Sequence, residues 1–171
     1  MALSAKKPAL LAADTNVLLD RAADDEIVID AFDTIRRRLP LCEFIITPTV
    51  IEELVLKAER GETALEKRLA HRALKHLLQP WGFRPLNFIP VGRGIVAEIA
   101  RNLRRRGLLP DNEVNDSLIL AEAALAGASL LLSSDHHLTH IEYPLLKLEL
   151  EAADVSAPLI ASPRQIVTRF F

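Results

Sequence analysis

The sequence predicts an α/β protein, a three-layer α/β/α sandwich with a mostly parallel central sheet. Short apolar runs alternate along the chain with segments of helical periodicity. The clearest runs are continuously apolar, as in strands that helices cover on both faces. Hydrophobic residues make up 50% of the 171 residues, which is enough for one sizeable core. We therefore expect a single domain over 1–171, with an N-terminal tail at 1–8.

The predicted elements follow from apolar periodicity and from residues that begin or end helices. The predicted strands are 9–13, 43–47, 128–132 and 158–161, with a further extended segment at 83–90. The predicted helices are one within 16–38, one that opens at Pro48, and those at 62–79, 93–106, 111–126 and from 163. Residues 142–157 have the least readable pattern in the sequence.

Local chemistry accounts for several of these boundaries. Arg36–Arg38 place positive charge at a helix carboxyl end, and Pro40 ends that helix. Thr47 is a favourable N-cap and Pro48 a favourable first helical residue. Pro80 ends the next helix for the same reason as Pro40.

Charge is distributed unevenly. The net charge of −2 excludes a globally basic nucleic-acid binder. Residues 57–106, a basic helical segment, nevertheless carry a net charge of +8, and the rest of the chain carries −10. This separation favours a protein that binds a polyanion with one segment and cations with another, although two solvated basic helices would give the same count.

The sequence predicts a cytoplasmic protein. Cys42 is the only cysteine, which excludes an internal disulfide or a multi-cysteine metal site and fits a reducing compartment. No apolar stretch is long enough to span a bilayer, so no membrane is expected as a partner. The apolar run before Asp14 is short for a signal peptide.

Acidic residues follow two of the clearest predicted strands. Asp14 and Asp135 would lie at the same edge of the sheet if those strands are parallel. Asp116 falls on the apolar face of its predicted helix, where a buried carboxylate requires a partner. Each acid alone has a simpler explanation, because aspartate is a good N-cap and favours helix N-termini.

A fourth acid is expected from the helix that opens at Pro48, where periodicity does not choose between Glu52 and Glu53. Four carboxylates at one edge repel each other unless a cation neutralises them. All-oxygen ligands favour Mg²⁺ or Mn²⁺, which can activate water and stabilise phosphodiester oxygens. The pattern indicates metal-dependent phosphodiester hydrolysis.

Five segments resemble, in order, the motifs of PIN-domain nucleases: 14–19 (DTNVLL), 48–54 (PTVIEEL), 115–123 (NDSLILAEA), 130–135 (LLLSSD) and 158–163 (PLIASP). The resemblance covers about 9–171 and implies a PIN-like fold. In the family the glutamate directly precedes a leucine, which favours Glu53. The resemblance implies four acids as catalytic residues and metal ligands: Asp14, Glu53, Asp116 and Asp135. Asn16 and Ser133 would support them by hydrogen bonding, and Glu113 is a further supporting candidate.

Members of the PIN family are Mg²⁺- or Mn²⁺-dependent ribonucleases, which implies an RNA substrate. The basic segment would then position RNA phosphates without reading sequence. The expected RNA-binding residues are Lys67, Arg68, Arg72, Lys75, Arg101, Arg104 and Arg105. Many members are toxins of VapC type held inactive by an antitoxin, and homodimers are common. The resemblance therefore implies an antitoxin protein and a second copy as partners, although compact toxins of this type are shorter than this chain.

Other functions stay open at this point. His136, His137 and His140 contain a pair with helical spacing that could bind zinc, although no HExxH motif accompanies it. A scaffold with a PIN-like fold would bind RNA or protein without cutting. The sequence lacks the GxSxG motif of a serine hydrolase and the GxGxxG motif of a dinucleotide-binding domain, which weakens both of these alternatives.

Overall fold

The computed structural model describes residues 7–169. Their strands are β1 (Ala9–Ala13), β2 (Cys42–Ile46), β3 (Phe83–Pro85), β4 (Leu130–Leu132) and β5 (Leu159–Ala161). They form a sheet in the order β3-β2-β1-β4-β5, in which each neighbouring pair is parallel. The predicted parallel sheet is confirmed. Of the predicted tail, residues 1–6 lie outside the described residues.

The helices between and after these strands form the outer layers. They are α1 (Thr15–Ala22), α2 (Glu26–Arg38), α3 (Pro48–Arg60), α4 (Ala64–His76), α5 (Pro90–Arg105), α6 (Val114–Leu125), α7 (His136–Thr139), α8 (Tyr143–Glu151) and α9 (Pro163–Arg169). For this strand order, crossovers of the usual right-handed sense put the helices between β1 and β3 on one face and those between β3 and β5 on the other. Accordingly, α3 packs on α4, and α5 packs on α6.

The strands β1 and β2 are buried most deeply at their carboxyl ends. In both β1 and β2 the last three residues are buried, whereas the first two are half-buried. The side chains that follow these ends therefore begin inside the core, where packing restricts their movement. This edge of the sheet carries the candidate site.

The single helix predicted within 16–38 is wrong, because α1 and α2 are separate helices. Asp24 has a φ of 60°, a left-handed conformation that interrupts a right-handed helix. Asp25 then caps α2, since its Oδ1 accepts a hydrogen bond from the backbone nitrogen of Val28 at 3.1 Å.

Other boundaries also differ from the sequence prediction. The helix predicted at 111–126 begins at Val114, after a turn. Only Phe83–Pro85 of the extended segment is a strand, and α5 already begins at Pro90. The least readable stretch, 142–157, contains α8. Within the described residues, no helix has the length and apolar character needed to cross a membrane.

Candidate active site

Two aspartates lie at the carboxyl edge of the sheet. Asp14 directly follows β1 and is 3% exposed. Asp135 follows β4 after two serines and is half-buried. Because β1 and β4 are neighbouring parallel strands, they deliver both side chains to the same edge. The carboxylate of Asp135 is close enough to Asp14 to raise its pKa.

Ser133 connects these two aspartates. Its hydroxyl donates to Asp14 Oδ2 and accepts from the backbone nitrogen of Asp135 at 3.0 Å. Both aspartates also cap helices. Asp14 Oδ1 accepts from the nitrogen of Val17 at 2.9 Å, and Asp135 Oδ1 accepts from that of His137 at 2.6 Å. Asp14 and Asp135 therefore each cap a helix and also lie near each other at the sheet edge.

Glu53 enters the edge from α3. Its Oε2 accepts from the hydroxyl of Thr15, and its Oε1 accepts from Asn115 Nδ2 at 2.7 Å. Its charge contributes to the raised pKa values of Asp14 and Asp116. Glu52, the alternative glutamate, is exposed. The geometry therefore distinguishes two residues that helical periodicity does not.

Asp116 is the third residue of α6 and is half-buried. Burial is the largest cause that raises its pKa to about 7. The carboxylates of Asp135 and Glu113 raise this pKa further, followed by those of Asp14 and Glu53. The acids that the sequence singles out are thus mutual electrostatic neighbours.

The pKa of Asp14 is raised to about 6, chiefly because its carboxyl group is buried. Hydrogen bonds from Ser133 and Val17 lower this pKa without cancelling the effect of burial. Oxygen donors that repel each other in this way are the chemistry that suits a hard divalent cation. As placed in residues 7–169, however, no three Asp, Glu, His or Cys side chains are arranged to hold one ion. Both oxygens of Asp14 and of Glu53 accept hydrogen bonds from the protein instead.

Residues 12–142 match the family model described as PIN domain, and this range includes all four acids. This chain belongs to the PIN-domain family.

Solved structures share the PIN fold. VapBC2 from Rickettsia felis, bound to a DNA fragment from its promoter, has a TM-score of 0.61 and 15% identity, covering 90% of this chain and 98% of that chain. FitAcB from Neisseria gonorrhoeae has a TM-score of 0.55 and 17% identity, over 90% and 97%. FitAB bound to an IR36 DNA fragment gives 0.54 and 17%, over 90% and 95%. No curated protein matches the chain.

The supporting residues expected around the PIN acids have different surroundings. Asn16 is exposed, and among the described residues its side chain makes no hydrogen bond. Glu113 is half-buried, and its Oε1 lies 3.6 Å from His137 Nε2. Of the three predicted supporting residues, Ser133 has the most direct contacts with the acids.

The histidines considered for zinc lie on and just after α7. The rings of His136 and His137 are tilted by 39° with centroids 3.9 Å apart, and His140 Nδ1 lies 2.9 Å from the carbonyl oxygen of His136. They belong to no three-residue metal-binding group within the described part of the chain. The structure therefore does not assemble the zinc site.

The basic residues expected to bind RNA fall into two groups. Five are exposed and form no ion pair within residues 7–169: Lys67, Arg68, Lys75, Arg101 and Arg105. The other two have protein partners. Arg72 donates to both oxygens of Asp24 at 2.7 Å, and Arg104 donates to the hydroxyl of Ser117, the residue after Asp116.

Thr15 and Asn115 are site residues to which the sequence assigns no role. Each is adjacent in the chain to a predicted acid, Asp14 or Asp116, and this adjacency is the only local indication. Their common partner, Glu53, lies 38 and 62 residues away. Only the fold brings the three together.

Proposed function

We propose that this PIN protein is a metal-dependent ribonuclease that hydrolyses RNA phosphodiester bonds. The observation that carries the proposal is the electrostatic interaction of four acids from separate elements: the carboxylates of Asp135 and Glu53 raise the pKa of Asp14, and all three raise the pKa of Asp116. The raised pKa values of Asp14 and Asp116 support it, because they reflect burial together with nearby like charges. Membership of the PIN family, whose members are typically nucleases, supports it further.

The four acids would hold Mg²⁺ or Mn²⁺, which would supply an activated water and charge stabilisation at the phosphodiester. The chain's own residues would orient the ligands. Ser133 holds Asp14 and the start of the Asp135 segment, while Thr15 and Asn115 hold Glu53. The exposed basic side chains that form no ion pair within the described residues are the candidates for contact with RNA phosphates, whereas Arg72 and Arg104 are already bonded to protein partners.

The test is cleavage of an end-labelled single-stranded RNA by purified protein in Mn²⁺ or Mg²⁺, compared with EDTA. Asp14→Asn keeps an oxygen that can cap α1 but removes the charge, so we expect cleavage to disappear while the fold remains. Asp30→Asn, at an exposed position on α2, is the matched control and should cleave like the wild type.

Cleavage that persists in EDTA, or equally in Asp14→Asn, would contradict the proposal. RNA binding without cleavage in both proteins would favour the scaffold. A single-stranded DNA of the same sequence, run in parallel, tests whether the activity is restricted to RNA.

A second proposal is that the protein is the toxin of a toxin–antitoxin pair. The resemblance to VapC-type toxins and the shared fold with VapBC2 support it. Induced expression of the wild type should stop bacterial growth, whereas Asp14→Asn should not. Normal growth at equal protein levels would argue against a toxin while leaving the nuclease proposal standing. An antitoxin and a homodimer remain predictions.

A further inference from the structure

We propose that Thr15 and Asn115 are positioning residues that hold Glu53 among the acids and thereby set the affinity of the cluster for its divalent cation. This inference rests on the proposed function, because it concerns the same site.

Glu53 differs from the two strand-end aspartates in how it is held. Asp14 and Asp135 are fixed by strands and by caps, whereas Glu53 extends from within α3 and caps no helix. Its position depends on two bonds, one to each carboxylate oxygen. Thr15 donates from the first residue of α1, and Asn115 donates at 2.7 Å from the second residue of α6.

These two donors suit a carboxylate that lies beside other acids. Asp14 and Asp116 repel Glu53 and would push its side chain away from the edge. A hydroxyl and an amide stabilise the charged carboxylate without adding a positive charge that would compete with a cation. Each oxygen can still offer its remaining lone pair.

The donors also couple Glu53 to the other acids. Thr15 directly follows Asp14, and Asn115 directly precedes Asp116. The backbone that places each aspartate therefore also places one donor for Glu53. Partners of this kind, which orient ligands without touching the metal, typically change metal affinity or activity by 10–100-fold.

The variants are chosen in matched pairs. Thr15→Val removes the hydroxyl at a position that is 4% exposed, with little change in shape, and Thr15→Ser retains the hydroxyl. Asn115→Ala removes the other donor at an exposed position. Asn87→Ala, at an exposed position before α5, is its control. Circular dichroism establishes whether each variant folds. If Thr15→Val does not fold, Asn115→Ala alone tests the inference.

Mn²⁺ binding is measured by the electron paramagnetic resonance signal of the free ion, alongside kcat and KM for RNA cleavage. We expect Thr15→Val and Asn115→Ala to raise the half-saturating Mn²⁺ concentration at least about tenfold. KM for RNA should stay unchanged, and excess Mn²⁺ should restore kcat. Thr15→Ser and Asn87→Ala should resemble the wild type.

Two results would overturn the inference while leaving the nuclease intact. In the first, the wild type cleaves RNA, and Thr15→Val and Asn115→Ala bind Mn²⁺ as tightly as the wild type does. In the second, Thr15→Ser is impaired as much as Thr15→Val, which would mean that the hydroxyl is not what matters. A wild type that neither binds Mn²⁺ nor cleaves RNA would refute the proposed function and this inference together.

Discussion

Asp116 carries a carboxyl group whose pKa is raised from 3.8 to about 7, first by burial and then by neighbouring carboxylates. The folded protein therefore holds this proton more tightly than the unfolded chain does. By linkage, the folded state loses stability as the pH rises from 3.8 through 7, and the favourable contribution of the proton is fully present only below 3.8. Asp14, with a pKa raised to about 6, acts in the same direction.

Replacing this carboxylate should stabilise the metal-free protein. We expect Asp116→Asn to raise the melting temperature at pH 8, because the amide carries no charge to bury or repel. Each kcal/mol gained corresponds to roughly 2–4 °C for a protein of this size. The gain should shrink towards pH 4, and Asp30→Asn should show none. A melting temperature at pH 8 equal to or below that of the wild type would contradict this account of Asp116.

Single residues in the sequence identify the acids of the candidate site more readily than the residues that hold those acids. Asp14 and Asp116 are noticeable because a carboxylate beside apolar residues requires an explanation. Thr15 and Asn115 are ordinary residues for helix N-termini, and their bonds to Glu53 exist only in the folded chain. The choice of Glu53 over Glu52 likewise came from resemblance and not from helical periodicity.

The basic residues of helix α4 have two different roles. Arg72 donates to both oxygens of Asp24 and to the carbonyl oxygen of Ala22 at 2.7 Å. These bonds join α4 to the break between α1 and α2. Lys67, Arg68 and Lys75 are exposed along the same helix and have no ion pair within residues 7–169.

The two roles predict different consequences of mutation. Changing Lys67, Arg68 and Lys75 together to Glu should weaken RNA binding and reduce the slope of log K against log salt by about 2. The melting temperature should stay unchanged. Arg72→Ala should lower the melting temperature and alter the salt slope little, because Asp24 already neutralises the guanidinium. An unchanged slope in the triple variant would make these residues a solvated helix face.

Helices were predictable where their pattern is amphipathic and their ends carry local causes. The break at Asp24 interrupts a stretch whose apolar spacing looks continuous, so periodicity merged two helices. At α8, in contrast, the sequence predicted no helix where the structure has one. Leu146 is buried, but Leu145 and Leu148 on the same helix are 50% and 69% exposed, so apolar residues cover more than one face. Without an amphipathic stripe, the sequence carries no helical signature there.

For the molecule as a whole, the fold class was the most predictable property. Continuous apolar strands require helices on both faces, and this requirement does not depend on the order of the strands. The order β3-β2-β1-β4-β5 itself arises from packing between distant segments, which spacing does not encode. Asp14 and Asp135 were predicted to lie at the same edge of the sheet because the carboxyl ends of parallel strands all lie at one edge.

Binding of Mn²⁺ should stabilise the entire molecule. The ion would bind the folded cluster and not the dispersed acids of the unfolded chain, which contributes about 2.7 kcal/mol at a concentration 100 times Kd. A rise of roughly 5–10 °C in melting temperature is expected for a protein of this size. EDTA should reverse it, and Glu53→Gln should reduce it. An unchanged melting temperature in millimolar Mn²⁺ would count against the four-acid site.

The bonds that hold the acids span long stretches of chain. Thr15 and Glu53 are 38 residues apart, Glu53 and Asn115 are 62 apart, and Asp14 and Ser133 are 119 apart. A ribosome releases these residues one after another, and domains fold as their segments emerge. The last bond therefore waits until β4 has emerged and paired with β1. Under the proposed ribonuclease function, the growing chain would therefore lack this part of its site, while it lies beside the messenger RNA that encodes it, until β4 has been made.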